Sequence, residues 1–247
     1  RPWFFDTCKA TRGEGKRCMR RKVAAIEHAR SHEHMRQHAL VLPSNYLRLT
    51  RAEQTFVIIN LERVDRGLRP FEGMVAGLDA VARLSAIIEV DPAPTMLLLQ
   101  ALGIHRYLTL WARDFGVLAS DYEWMYNDGY SPSGSVNIDC RHPGGSGCWG
   151  HRHVILDLYS GLRTLVAGSG SAGSNGGSLA EVLVGAIGSV PAITYSWQEA
   201  LAYGANGHKA AAERLAAQPV TRTARSPFLL RLPHRRGPLS RRCSSSI

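Results

Sequence analysis

No stretch of this 247-residue sequence is apolar for long enough to cross a bilayer as a helix. It also lacks the C-x-x-C spacing of zinc ribbons and redox motifs, the H-E-x-x-H pattern of zinc proteases, and a glycine loop followed by Lys-Ser/Thr. These absences set aside a membrane-spanning helix, the common zinc modules and a phosphate-loop nucleotidase. Acidic residues are missing from one region altogether. From Pro219 to Ile247, Arg222, Arg225, Arg231, Arg235, Arg236, Arg241 and Arg242 face no Asp or Glu, so seven of the ten net positive charges belong to this end. Low apolar content and charge of one sign do not repay the entropy of ordering, so a disordered basic tail is expected there. Such a tail can bind an anionic polymer or lipid through counterion release, but a tail without a defined ligand is the expectation.

Cysteine is sparse and odd in number, with five residues. Cys8 and Cys18 flank one polar glycine-containing loop, Cys140 and Cys148 flank another, and Cys243 is left over. Two local disulfides are expected in preference to metal ligation, and with them an oxidising compartment. The chain begins at Arg1 without a methionine or a charged-then-apolar leader, so any signal peptide is expected to have been removed or left out. The combined expectation is a secreted or cell-surface protein.

What is present supports one sizeable domain with appendages, since 45% of the residues are hydrophobic. The expected divisions are an N-terminal helical extension with the Cys8/Cys18 loop over 1–49, a main domain over 50–200, and a terminal helix with the basic tail over 201–247. Lys16 to Leu40 reads as a basic helical segment. Its His28/His32 and His34/His38 pairs have helical spacing, but no carboxylate cluster accompanies them, so they read as a solvated face. Thr50-Arg51-Ala52-Glu53 is a capping box opening a strong helix that stops near Gly67 and Pro70. A second helix is expected from about Pro70 to Val90, ended by Asp91-Pro92-Ala93-Pro94.

Further along, Leu97 to Leu102 fits strand or helix, and Tyr107 to Trp111 alternates like a short strand. Ser120-Asp121-Tyr122-Glu123 resembles a helix start. Leu162 to Ala167 reads as a strand, Gly168 to Gly177 as a flexible glycine-serine loop, Leu179 to Ile187 and Ala192 to Trp197 as strands, and Gln198 to Ala217 as a helix. Regular β-α-β alternation is missing, which points to an α+β layered fold.

The densest chemistry lies in Cys148-Trp149-Gly150-His151-Arg152-His153-Val154-Ile155-Leu156. Glycine before His151 fits a helix start with free N–H groups. A helix-capping role for His151 competes with a role in a site.

Asn60-Leu61-Glu62-Arg63-Val64-Asp65-Arg66-Gly67-Leu68-Arg69-Pro70 resembles the first-helix signature of bacterial CAP domains, the superfamily of cysteine-rich secretory proteins, antigen 5 and pathogenesis-related proteins. Gly150-His151-Arg152-His153-Val154-Ile155-Leu156 resembles that family's Gly-His motif, and Leu165-Val166-Ala167-Gly168 falls where the family has a glycine-containing core strand. The resemblance spans roughly Thr50 to Trp197. It implies a three-layer α-β-α sandwich, secretion, and a cleft holding two histidines and two acids. His151 falls on one cleft histidine, while Leu110-Trp111-Ala112-Arg113 replaces the family's Gly-Glu-Asn segment and carries no Glu.

The function expected from this combination is ligand or cell-envelope binding without catalysis. Trp111, Trp124, Trp149 and His153 are candidate ligand contacts, with core packing as the competing role of the aromatics. The first alternative is a metal-assisted hydrolase in which His151, with Asp128 or Glu123, holds a divalent metal such as zinc or acts as acid and base. The second is an interaction protein acting through its arginine tail.

Overall fold

Strands whose side chains alternate between two apolar layers make up the centre of the protein, seen in a computed structural model that describes residues 2–13, 15–33, 35, 37–127, 150–173, 177–188 and 192–205. The strands are β1 (Gly73–Val75), β2 (Ile104–Arg113), β3 (Thr164–Ala172), β4 (Ser178–Ala186) and β5 (Ile193–Ser196), in the spatial order β2-β4-β3-β1-β5. β1 and β3 run parallel and the other pairs antiparallel, so the sheet is mixed.

Eight α-helices are found among the described residues: α1 (Phe5–Ala10), α2 (Lys16–His32), α3 (Arg51–Val64), α4 (Ala76–Ile88), α5 (Met96–Ala101), α6 (Val117–Tyr126), α7 (Gly150–Ile155) and α8 (Trp197–Ala202). Both sheet faces carry helices. Leu165, Ala167, Leu179 and Leu183 point into the core shared with α3 and α6, while Val166, Val182 and Val184 point at Leu78 and Ala82 of α4.

The expected capping box holds α3: Thr50 Oγ1 accepts from Glu53 N at 3.2 Å, and Thr50 N donates to Glu53 Oε2 at 2.7 Å. From Gln54 to Val64 every residue of α3 is buried, so this helix is enclosed on all sides. Residues 2–49 contribute Phe4, Cys8, Cys18, Ile26, Ala29 and Tyr46 to the same core. The Cys8–Cys18 disulfide ties α1 to α2, and Phe4 packs edge-on against Tyr122 of α6 at 5.4 Å.

Four expectations change. The segment from Pro70 to Val90 is not one helix, because Gly73–Val75 is drawn into the sheet between β3 and β5 and α4 starts only at Ala76. α6 begins at Val117 after Gly116 (φ 85°), which leaves Ser120 and Asp121 buried in mid-helix instead of capping it. The first half of the Gly168 to Gly177 run is also not a loop, since β3 continues to Ala172. There glycine provides clearance: a Cβ on Gly168 would lie 2.3 Å from the Leu78 backbone and one on Gly170 2.2 Å from that of Ala82, so α4 rests directly on bare strand. Finally, α8 ends at Ala202, with Gly204 in the left-handed region (φ 80°) just beyond it. The remainder of the expected helix and the arginine tail lie outside the described residues.

Candidate ligand cleft at helix α7

α7 is only six residues long and carries His151 and His153. A helix this short has little stability of its own, so its position depends on what grips it. Arg63 of α3 does so at the C-terminal end. Its Nη1 donates to the carbonyls of Ile155 (2.6 Å) and Asp157 (2.9 Å), and its Nε donates to Arg69 O (2.7 Å). The guanidinium also sits 4.6 Å from the Phe71 ring centroid. Burial pulls the Arg63 pKa down to about 10 even though Tyr159 and Asp157 oppose it. Asn60, three residues earlier, clamps Phe71 by accepting from its N–H (2.7 Å) and donating to its carbonyl (3.0 Å).

Arg152 holds the other side. Its Nη1 donates to Met125 O at 3.0 Å and pairs with Glu33. Glu33 also accepts from Arg66 Nη2 at 2.7 Å, and Arg66 pairs in turn with Glu62. Behind them lies a buried ionic network. Arg30 of α2 pairs with Glu62 at 2.8 Å and Asp65 at 2.7 Å, and Tyr126 Oη donates to Glu62 Oε2 at 2.8 Å. Burial alone would raise the Glu62 pKa, but the Arg30 and Arg66 charges prevail and lower it to about 2. For Asp65 the balance reverses: burial outweighs Arg30 and raises it to about 6. Asp121 is pushed well above the carboxylate range by burial and then by the Glu62 charge.

Beside α7 opens a cleft of about 450 Å3 lined by Arg106, His153, Leu156, Asp157, Leu158, Tyr159 and Ser160. Arg106 reaches across from β2 to pair with Asp157 at 2.7 Å. Asp157 Oδ2 also accepts from Tyr159 N at 3.1 Å. Tyr159 is a buried aromatic with φ 47°, a conformation that an L side chain adopts only when its surroundings impose it. Its Oη donates to Leu183 O at 3.2 Å, and Phe71 packs on its ring edge-on at 5.6 Å. Leu158 stands exposed at the rim. The arrangement offers apolar surface beside one cation, one carboxylate and one imidazole, which suits holding a ligand of mixed polarity.

The sequence candidates distribute unevenly around this cleft. His153 lines it and is exposed, while His151 is half-buried one position before the Arg152 anchor. Glu123 is half-buried on α6. Trp124 is fully buried and donates from Nε1 to Trp111 O at 3.2 Å. Trp111 donates to Ser178 Oγ at 2.9 Å, and that hydroxyl donates to Ala86 O of α4, so its indole sits on the α4 face of the sheet. Trp124 is therefore a packing residue, Trp111 is half-buried on the α4 side of the sheet, and neither lines the α7 cleft. Asp128, Trp149, Cys140, Cys148 and Cys243 lie outside the described residues, and only Cys8 and Cys18 of the five cysteines are seen paired.

Among the described residues, no three of His, Cys, Asp and Glu are grouped closely enough to hold a metal ion. His28 and His32 do share a face, with Nε2 atoms 3.1 Å apart and Trp3 against His28 at 4.3 Å, and no third ligand joins them among the described residues. Likewise, no described helix is long and apolar enough to cross a membrane.

Arg106, Asp157, Leu158 and Tyr159 were not singled out in the sequence. Asp157 to Gly161 carries a local signal, a polar turn directly after the Gly-His helix. Arg106 has none, because only the pairing of β2 with β4 brings it there. No protein-family model matches the chain, and no curated protein or solved structure matches it at a significant level.

Proposed function

We propose that this chain is a CAP-like domain of the three-layer α-β-α type, secreted or displayed at the cell surface. On this reading its α7 cleft binds an apolar ligand or cell-envelope component and catalyses no reaction. The observation that carries this reading is the state of three described carboxylates in and behind the grip on α7. Glu33 is held by Arg66 and Arg152, Glu62 by Arg30 and Arg66, and Asp157 by Arg106. A carboxylate engaged in this way anchors structure and is a poor general base. The order of the Asn60/Arg63 helix, the Gly150-His151 helix and the glycine-bearing β3 strand supports the family assignment. Arg63 supplies a physical reason for that order, since the first motif grips the second.

The test is co-sedimentation of the purified full chain with isolated cell-envelope fractions, alongside His153→Ala and Leu158→Asp. Both substituted residues are exposed, so the variants should fold. Each is expected to weaken binding about tenfold, the scale of one lost contact of about 1.4 kcal/mol. Release of a hydrolysis product that disappears in His151→Ala, together with bound zinc in the wild type, would instead establish the metal-assisted hydrolase.

A further inference from the structure

A larger cavity lies away from the α7 cleft, where residues preceding the family resemblance meet the start of α3. It encloses about 700 Å3, within the range typical of small-molecule sites. Its lining divides by chemistry. Met19, Leu47 and Leu49 form an apolar floor, and Lys16, Arg20, Lys22 and Arg51 supply four cations with no carboxylate among the described lining residues.

The walls are fixed in place. Lys22, buried, donates from Nζ to Gly13 O at 3.2 Å and Phe115 O at 2.8 Å, which stitches the disulfide-closed loop to the approach of α6. Gln54, also buried, donates to Tyr46 O at 2.9 Å and Leu49 O at 3.1 Å and so holds the turn that presents Leu47 and Leu49. Arg51 Nη1 donates to Gln54 Oε1 at 2.9 Å, which orients its guanidinium. Lys16 and Arg20 remain exposed at the rim.

Leu47 is 73% exposed, an unusual position for a leucine on a braced turn, and with Met19 it also lines a second cavity of about 290 Å3. There Leu42, Pro43 and Tyr46 continue the apolar surface. The basic and the apolar cavity thus share Met19 and Leu47 as lining residues.

We propose that this paired cavity binds a single-chain anionic amphiphile, with its carboxylate or phosphate head at Lys16, Arg20 and Arg51 and its chain laid over Leu47 toward Leu42. The charge of the rim selects the head and the apolar floor selects the tail. A preformed lining reduces the ordering cost of binding. The site is independent of the α7 cleft, and either can fail without the other.

The experiment titrates cis-parinaric acid into the full, disulfide-intact chain by fluorescence, alongside its methyl ester, inorganic phosphate as competitor, and phosphatidylglycerol vesicles. The acid is expected to bind at least tenfold more tightly than the ester and to resist displacement by equimolar phosphate. Lys16→Glu/Arg20→Glu should weaken the acid at least tenfold and leave the ester unchanged. Leu47→Asp should weaken both. All three replaced cavity residues are exposed, so folding, checked by circular dichroism, is expected to survive. Equal affinity for acid and ester, displacement by phosphate, unchanged binding in both cavity variants, or capture of vesicles without monomeric amphiphile would each overturn the proposal.

Discussion

Arg63 shows how one side chain can connect a sequence motif to the placement of another. A single guanidinium satisfies carbonyls of Arg69, Ile155 and Asp157, and few other residues reach three acceptors from one position. Arg63→Ala would leave these carbonyls short of partners and open space against Phe71. A loss of about 3 kcal/mol in unfolding free energy is expected in urea denaturation. Hydrogen exchange at Gly150 to Ile155 should accelerate more than exchange in β4. Arg63→Lys keeps the charge but loses the fork and should restore less than half of the loss. Equal exchange acceleration across the whole chain would show that Arg63 has no special hold on α7.

At the level of elements, α4 and β3 make the most demanding contact. Glycines at 168 and 170 let the helix backbone approach the strand more closely than any side chain would permit. Gly168→Ala should therefore destabilise the fold by about 1–3 kcal/mol, as overpacking does, despite alanine's better backbone entropy. Thermal melts would show it, and an unchanged or raised Tm would mean that α4 can shift freely. The same contact explains why the glycine-serine run misleads when read from composition. Flexibility and close approach call for the same residue, and the choice between them depends on α4, about 90 residues away in sequence. β1 misleads for a related reason, because three residues with helical neighbours are recruited into the sheet by strands β3 and β5.

For the whole molecule, burial of acids sets a pH dependence. Asp114 is raised to about 7 by burial, which Phe115 N–H and the Lys22 charge only partly offset, and Asp65 is raised to about 6. Their ordinary values lie near 3.8, so between there and about 7 the folded chain keeps protons that the unfolded chain has released. Stability is consequently full at the acid end of this window and falls as pH rises through the folded values. Glu62 acts oppositely and only lower down, its contribution being lost as pH falls from 4.5 toward about 2. Unfolding free energy should therefore be greater at pH 5 than at pH 7.5. Asp114→Asn should flatten the profile and add about 1–3 kcal/mol at pH 7.5. A denaturation midpoint that rises from pH 5 to 7.5 in the wild type would contradict this.

Local physics made several features legible in the sequence. The Thr50 capping box and the Cys8–Cys18 pairing each depend on neighbours within about ten residues, and the β4 and β5 strands and the short Gly150 helix show in their own residues although their partners are distant. That the fold mixes helices with strands was equally visible, since a hydrophobic period needs no partner to be read. Tertiary structure decided what those elements meet. It buried Trp124, put Trp111 on the α4 side of the sheet, carried Arg106 to Asp157, turned a glycine run into the seat of α4, and buried Arg30, Glu62 and Asp65 together. Each of these depends on a partner distant in sequence. The energy of a buried charge or a bare strand is defined only once that partner is in place.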